Sequence, residues 1–145
     1  MLETLTRPDI VLTGRKVVGG VAEAEALMTR ETISGWGGIN AMTGTIIESR
    51  HELKGVSFAG KVLVFPGAKG SSGWSAMFHT ARLAGKAPAA MLFNIMTTKA
   101  ALGAVVMRIP TVTDFDRDPL DLIETGDRVR VDGDRGIVEI WKARA

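Results

Sequence analysis

The chain of 145 residues contains no cysteine and no tyrosine, only 5 prolines and 3 tryptophans, and aromatic residues make up 6% of it. Without cysteine there is no disulfide framework, no thiolate zinc site, no cysteine nucleophile and no iron–sulfur cluster held by this chain alone. Charge of one sign is scarce as well. Lys and Arg number 18 against 16 Asp and Glu, and the formal net charge of +2 is too small to point to nucleic acid. The strongest apolar runs, residues 62–65 and 87–93, fall far short of the roughly 20 residues that span a bilayer. The first residues mix Glu3, Arg7 and Asp9 and lack the apolar segment of a signal peptide. Together these absences predict a soluble cytoplasmic chain that partners neither membrane nor nucleic acid.

What is present is 46% hydrophobic residues and 17 glycines, the composition of one globular domain. A chain of this length buries roughly 68–70% of its unfolded surface and needs no staple to fold. Residues 1–13 read as a lead-in and residues 14–145 as a single domain. From Gly14 onward, short β-rich runs alternate with glycine punctuation. Val17 and Val18, then residues 21–28, flank Gly19 and Gly20, and the second run alternates with the period of a strand. Residues 36–44 are rich in turn formers, and residues 45–48 make a further short strand.

The clearest pattern follows. Residues 61–65 are a short apolar run bounded by Gly60 and by Pro66 and Gly67, as in a strand covered on both faces. A stretch rich in glycine and serine comes next, then a helix with Trp74, Met77, Phe78 and Ala81 at core-facing spacings, closed by Gly85. Residues 89–93 form a second apolar strand, so the segment is a parallel strand, loop, helix, strand crossover. Residues 98–106 predict a short helix, 111–113 another parallel strand, and 129–131 with 137–140 a terminal hairpin. The fold class is α/β with flanking β structure.

The loop after Phe65 is the best candidate site, because a buried strand there delivers its carboxyl end to a helix N-terminus, where anions bind. Ser71 or Ser72 is placed to cap the helix, Gly67, Gly70 and Gly73 permit close approach, and Lys69 adds positive charge. The same spacing also fits an ordinary capped turn. It is not a nucleotide P-loop, since Lys69 is followed by Gly70 rather than Ser or Thr.

Several blocks together resemble the small subunit of aconitase X enzymes. They are residues 14–20 (GRKVVGG), 24–26 (AEA), 36–39 (WGGI), 43–44, 59–62 (AGKV), 65–72 (FPGAKGSS), 87–89, 109–110 and 125–127. In the family's order they cover nearly the whole chain beyond its first dozen residues. The resemblance implies the swivelling β/β/α domain of aconitase-like hydro-lyases. It also implies a dehydratase whose larger subunit carries an iron–sulfur cluster and most substrate contacts. Ser71 matches the serine that serves as proton acceptor, and Gly67, Lys69, Gly70, Ser72 and Gly73 would hold a small hydroxy acid. Two family substrates fit, cis-3-hydroxy-L-proline and mevalonate 5-phosphate, and the overall likeness favours the first. A noncatalytic swivelling domain that binds a partner or a carboxylate ligand is the other class.

Other residues carry weaker signals. Trp36, Gly37 and Gly38 fit a substrate-facing or interface loop, or a packed turn. His51 and His79 do not share a helix face, which favours structural or surface roles over a metal pair or a phosphocarrier. Asp114, Asp116, Asp118 and Asp121 fit a solvated loop and helix start better than a cation site. Arg128, Arg130 and Arg135 alternate with Asp127, Asp132 and Asp134, as on an exposed β face. No metal ligand set is assigned.

Overall fold

The computed structural model describes residues 7–143. Eight strands form one sheet in the order β1-β12-β11-β3-β7-β9-β10-β2. They are β1 (Ile10–Thr13), β2 (Arg15–Val18), β3 (Val21–Met28), β7 (Val62–Phe65), β9 (Ala90–Phe93), β10 (Thr111–Thr113), β11 (Arg128–Asp132) and β12 (Ile137–Trp141). Four short strands, β4 (Ile33–Ser34), β5 (Ile39–Asn40), β6 (Thr45–Ile46) and β8 (Ala68–Lys69), make two small two-stranded sheets. The helices are α1 (Trp74–Leu83), α2 (Thr98–Met107) and the single turn α3 (Pro119–Leu122).

Strands β3, β7, β9 and β10 run parallel, whereas β1, β12, β11 and β3 pair antiparallel, so β3 belongs to both layers. The side-chain period of two explains the stacking. Val62 and Val64 join Leu12, Ala26, Val129, Val131, Val138 and Ile140 in one cluster between the sheet layers. Their neighbours Leu63 and Phe65 join Trp74, Phe78, Ala81, Ala100 and Ala104 in a second cluster under the helices. All four residues of β7, and all four of β9, are therefore buried. The result is antiparallel sheet, parallel sheet and helices in three layers, the architecture that the resemblance implies.

The crossover β7–α1–β9 matches the sequence reading, with β7 and β9 paired from Val62↔Ala90 to Phe65↔Phe93. Helix α1 ends at Ala84 and Gly85, where φ of +75° suits glycine. Two expectations need correction. Residues 1–6 of the lead-in lie outside the described residues, but Ile10–Thr13 is no lead-in: it pairs with β12 from Ile10↔Ile140 to Thr13↔Ile137. Neither Ser71 nor Ser72 caps α1. Gly73 occupies the N-cap, and no N-cap side chain accepts from the first turn of the helix. The side-chain cap belongs instead to α2, where Thr97 accepts from the Ala100 N–H at 3.2 Å.

Candidate active site

The polypeptide leaves β7 at Phe65, forms the short strand β8 alongside β4, and turns through residues 70–73 into α1. Gly70 has φ of +96°, a conformation that favours glycine, and it sets the direction of the turn. Ser71 and Ser72 follow on the exposed surface. The Ser71 carbonyl accepts the Trp74 N–H at 3.2 Å, and its Oγ accepts the Gly73 N–H at 3.3 Å. A backbone donor on a hydroxyl oxygen favours its deprotonated form over its neutral form. No hydrogen bond among the described residues engages the Ser71 or Ser72 backbone N–H. These two amides lie just ahead of the N-cap of α1, close to the end of the helix where partial positive charge collects.

The floor of this turn is rigid. The Trp74 indole donates to the Ile33 carbonyl at 2.9 Å, and its ring stacks on Phe78 with centroids 4.2 Å apart and on Phe65 at 6.3 Å. Trp74 is fully buried, and it is fixed by the sheet below and the helix above. Its backbone also lies against Gly35, where an added Cβ would sit 2.7 Å from the Trp74 Cα. The candidate loop at Trp36, Gly37 and Gly38 is thereby joined to the Ser71 turn. The Gly38 N–H closes a turn on the Gly35 carbonyl at 3.1 Å, and Trp36 projects outward with 77% of its surface exposed. The Trp36 side chain is thus not packed into the turn.

Lys69 departs from expectation. Its ammonium pairs with Glu48 Oε2 at 2.8 Å, so its charge is balanced within the chain rather than offered to the loop. The other Glu48 oxygen, Oε1, is buried without a partner. A different cation reaches the turn. Lys99, on the first turn of α2, donates to the Gly70 carbonyl at 2.7 Å. Beside it lies a cavity of about 350 Å³ lined by Ser72, Thr97, Thr98, Lys99 and Leu102. Sequence reasoning missed Lys99 because it lies 29 residues from Gly70 in the chain.

The remaining candidates lie elsewhere. His51 is buried, with Nδ1 accepting the Leu53 N–H at 3.0 Å and Nε2 placed 3.2 Å from the Thr32 carbonyl oxygen, a structural role. His79 is exposed on α1. Asp118 caps α3 by accepting the Leu120 N–H at 2.9 Å, in line with a loop and helix start. Asp114 pairs with Arg15 at 2.6 Å. The Asp116 carboxyl is held below the usual carboxylate range, chiefly by the Thr13 N–H. Among the described residues no three His, Asp or Glu side chains converge on a possible metal position. With no cysteine in the chain either, its residues do not fit an iron–sulfur cluster.

This three-layer α/β domain, with a glycine turn presenting an exposed serine at the end of a buried parallel strand, is a swivelling domain of the aconitase-like type. The profile of the aconitase X swivel domain matches residues 11–140, and the chain belongs to that family. It is 40% identical over 129 residues, covering 89% of this chain and 98% of the other, to the phosphomevalonate dehydratase small subunit of Methanocella arvoryzae. The subunit of the same name from Archaeoglobus fulgidus is 44% identical over 126 residues, covering 87% and 95% of the two chains. Among solved structures, aconitase X of Thermococcus kodakaraensis in its holo form superposes with a TM-score of 0.86 at 39% identity. That superposition covers 92% of this chain and 99% of the matched one. The chain is accordingly a small subunit of an aconitase X-type hydro-lyase.

Proposed function

We propose that this chain is the small subunit of a phosphomevalonate dehydratase and that Ser71 is its proton acceptor. The observation that carries the reading is likeness along nearly the full length of small subunits bearing that name, 98% of the Methanocella arvoryzae chain and 95% of the Archaeoglobus fulgidus chain. The preference for cis-3-hydroxy-L-proline drawn from the sequence resemblance gives way to mevalonate 5-phosphate. A large subunit completes the enzyme, and the iron–sulfur cluster expected for the family belongs there. The exposed Trp36 and Met42 side chains provide apolar anchors for that partner.

In the proposed reaction, Ser71 Oγ takes a proton from the carbon next to the substrate carboxylate. The electrons of that C–H bond form the new C=C bond and expel the hydroxyl on the following carbon; over the full cycle the proton taken by Ser71 combines with that hydroxide as water, which returns Ser71 to its starting form. A serine hydroxyl is a weak base in water, so its anion needs stabilisation within the site. The Gly73 N–H on Oγ and the N-terminal end of α1 contribute to it. Ser72, the unbonded amides of the turn and the backbone of Gly67 hold the substrate, while Gly70 and Gly73 keep side chains out of its way. Gly67 also lets the chain pack closely, since an added Cβ would meet the Ile95 side chain at 3.0 Å.

The test is an oxygen-free copurification of the tagged chain with its native partner, followed by dehydration assays on mevalonate 5-phosphate and cis-3-hydroxy-L-proline. Turnover of the former and not the latter is expected. The complex carrying Ser71→Ala should assemble normally and lose at least about 100-fold in kcat. Full activity in that variant would remove Ser71 from the reaction and favour a noncatalytic swivelling role for the domain.

A further inference from the structure

We infer that Lys99 is a positioning residue for the Ser71 turn, a role that rests on the proposed chemistry of Ser71. The argument begins with how a serine can be held ready at the protein surface. Ser71 is exposed, and its turn spans residues 70–73 between two rigid elements. On the α1 side it is anchored through the Trp74 N–H on the Ser71 carbonyl and the Trp74 indole on Ile33. On the β8 side the Lys69 side chain is tied to Glu48. Between these anchors, the peptide linking Gly70 to Ser71 turns about ψ of Gly70 and φ of Ser71, and a residue without Cβ resists that rotation less than any other. Rotation of that peptide would swing the Ser71 amide and redirect Oγ.

The Lys99 ammonium closes this degree of freedom by donating to the Gly70 carbonyl at 2.7 Å, a short charge-assisted hydrogen bond. Its own base is firm. Thr97 caps α2 two residues earlier, and Ala100, Gly103 and Ala104 bury the helix against α1. Lys99 itself is partly buried, and among the described residues no carboxylate pairs with it. A neutral carbonyl is thus the group it holds. The device orients the serine-bearing peptide from a second helix, so its loss should affect the chemical step more than substrate binding.

The experiment compares the native complex with its Lys99→Met and Lys99→Arg forms. Lys99→Met should lower kcat on mevalonate 5-phosphate by about 10- to 100-fold while KM stays within about threefold, and Lys99→Arg, which keeps a donor in reach, should recover most of kcat. Hydrogen–deuterium exchange of the complex should show faster exchange at residues 67–73 in Lys99→Met, with α1 and the sheet unchanged. An unaltered kcat overturns the proposal, as does a loss that falls in KM, which would make Lys99 a substrate contact instead. Should the complex dehydrate neither substrate, the functional reading fails, and exchange at residues 67–73 still decides the role of Lys99. Faster exchange in Lys99→Met upholds the clamp, and unchanged exchange overturns it.

Discussion

Replacing Gly103 with alanine tests how the helical layer holds the active turn. In an isolated helix this change stabilises by about 1 kcal/mol, because glycine is the more flexible residue in the unfolded chain. Here Gly103 faces the indole of Trp74, and an added Cβ would lie 2.3 Å from Cζ3 and 2.8 Å from Cε3. Carbon atoms in contact sit about 3.5–4.0 Å apart, so the ring must retreat by more than about 1 Å. It has nowhere to go. Phe78 is stacked at 4.2 Å between centroids, and the indole N–H is committed to Ile33 at 2.9 Å. Overpacking a closed core costs about 1–3 kcal/mol, and a strained or broken hydrogen bond adds about 1 kcal/mol. After the helix gain is subtracted, Gly103→Ala should destabilise by about 1–3 kcal/mol. For a domain of this size that lowers Tm by roughly 3–10 °C. Thermal unfolding followed by far-UV circular dichroism measures the shift, and the near-UV signal of Trp74 should change with it. Because the backbone N–H of Trp74 holds the Ser71 carbonyl, kcat of the complex should fall as well. A variant as stable as the parent, or more stable, would refute the packing argument.

Two further predictions concern charge. Lys142→Met should cost about 1–3 kcal/mol in chemical denaturation, because it strips an ammonium from Asp127, a carboxylate only 1% exposed that keeps the Glu124 and Ala143 N–H groups. Burial by itself would lower the Lys142 pKa, but its bonds and charge contacts with Asp127 and Glu124 outweigh that and raise it above the ordinary value of 10.5. A group with a raised folded pKa contributes fully below its unfolded pKa, so wild-type stability should fall as pH climbs beyond 10.5, and Lys142→Met should lack that decline. The Glu52 carboxyl is held below its ordinary 4.5, mainly by the Thr29 hydroxyl and despite some burial, with help from the Arg30 N–H. Its contribution is therefore present above pH 4.5 and disappears as pH drops through the lowered folded value. Melting curves between neutral pH and pH 3 should show Thr29→Val with less acid sensitivity than the parent, and identical pH profiles would discard the Thr29–Glu52 account.

The crossover was readable because each element announces itself locally. Residues 62–65 and 90–93 are short apolar strands between turn formers, and the intervening helix carries Trp74, Phe78 and Ala81 on one face. Which side of β7 faces which layer was not readable, since a strand buried on both faces has no polar alternation. Strand β1 escaped because its identity depends on β12, more than a hundred residues away. Serines before a helix suggested a cap, yet the backbone turns one residue later and places Gly73 there. Ser71 stood out through family resemblance, since its spacing alone also fits a structural turn. Lys69 was visible as a charge, but Glu48, which neutralises it, is 21 residues earlier. Both Lys99 and the tight fit of Gly103 against Trp74 arise from packing of α1 on α2, which no local window contains.

In the strand order, β1 and β2 stand at opposite ends, yet only Gly14 separates them in the chain. One continuous span is therefore zipped to β12 over residues 10–13 and to β10 over residues 15–18. The sheet is a hoop, and Gly14 is its seam, held where a Cβ would strike the Thr113 carbonyl oxygen at 2.6 Å. Through that seam the two outermost strands of the order share one stretch of chain, so neither can peel away without pulling on the other. Any load on one end of the strand order is therefore carried to the other through the backbone of Gly14.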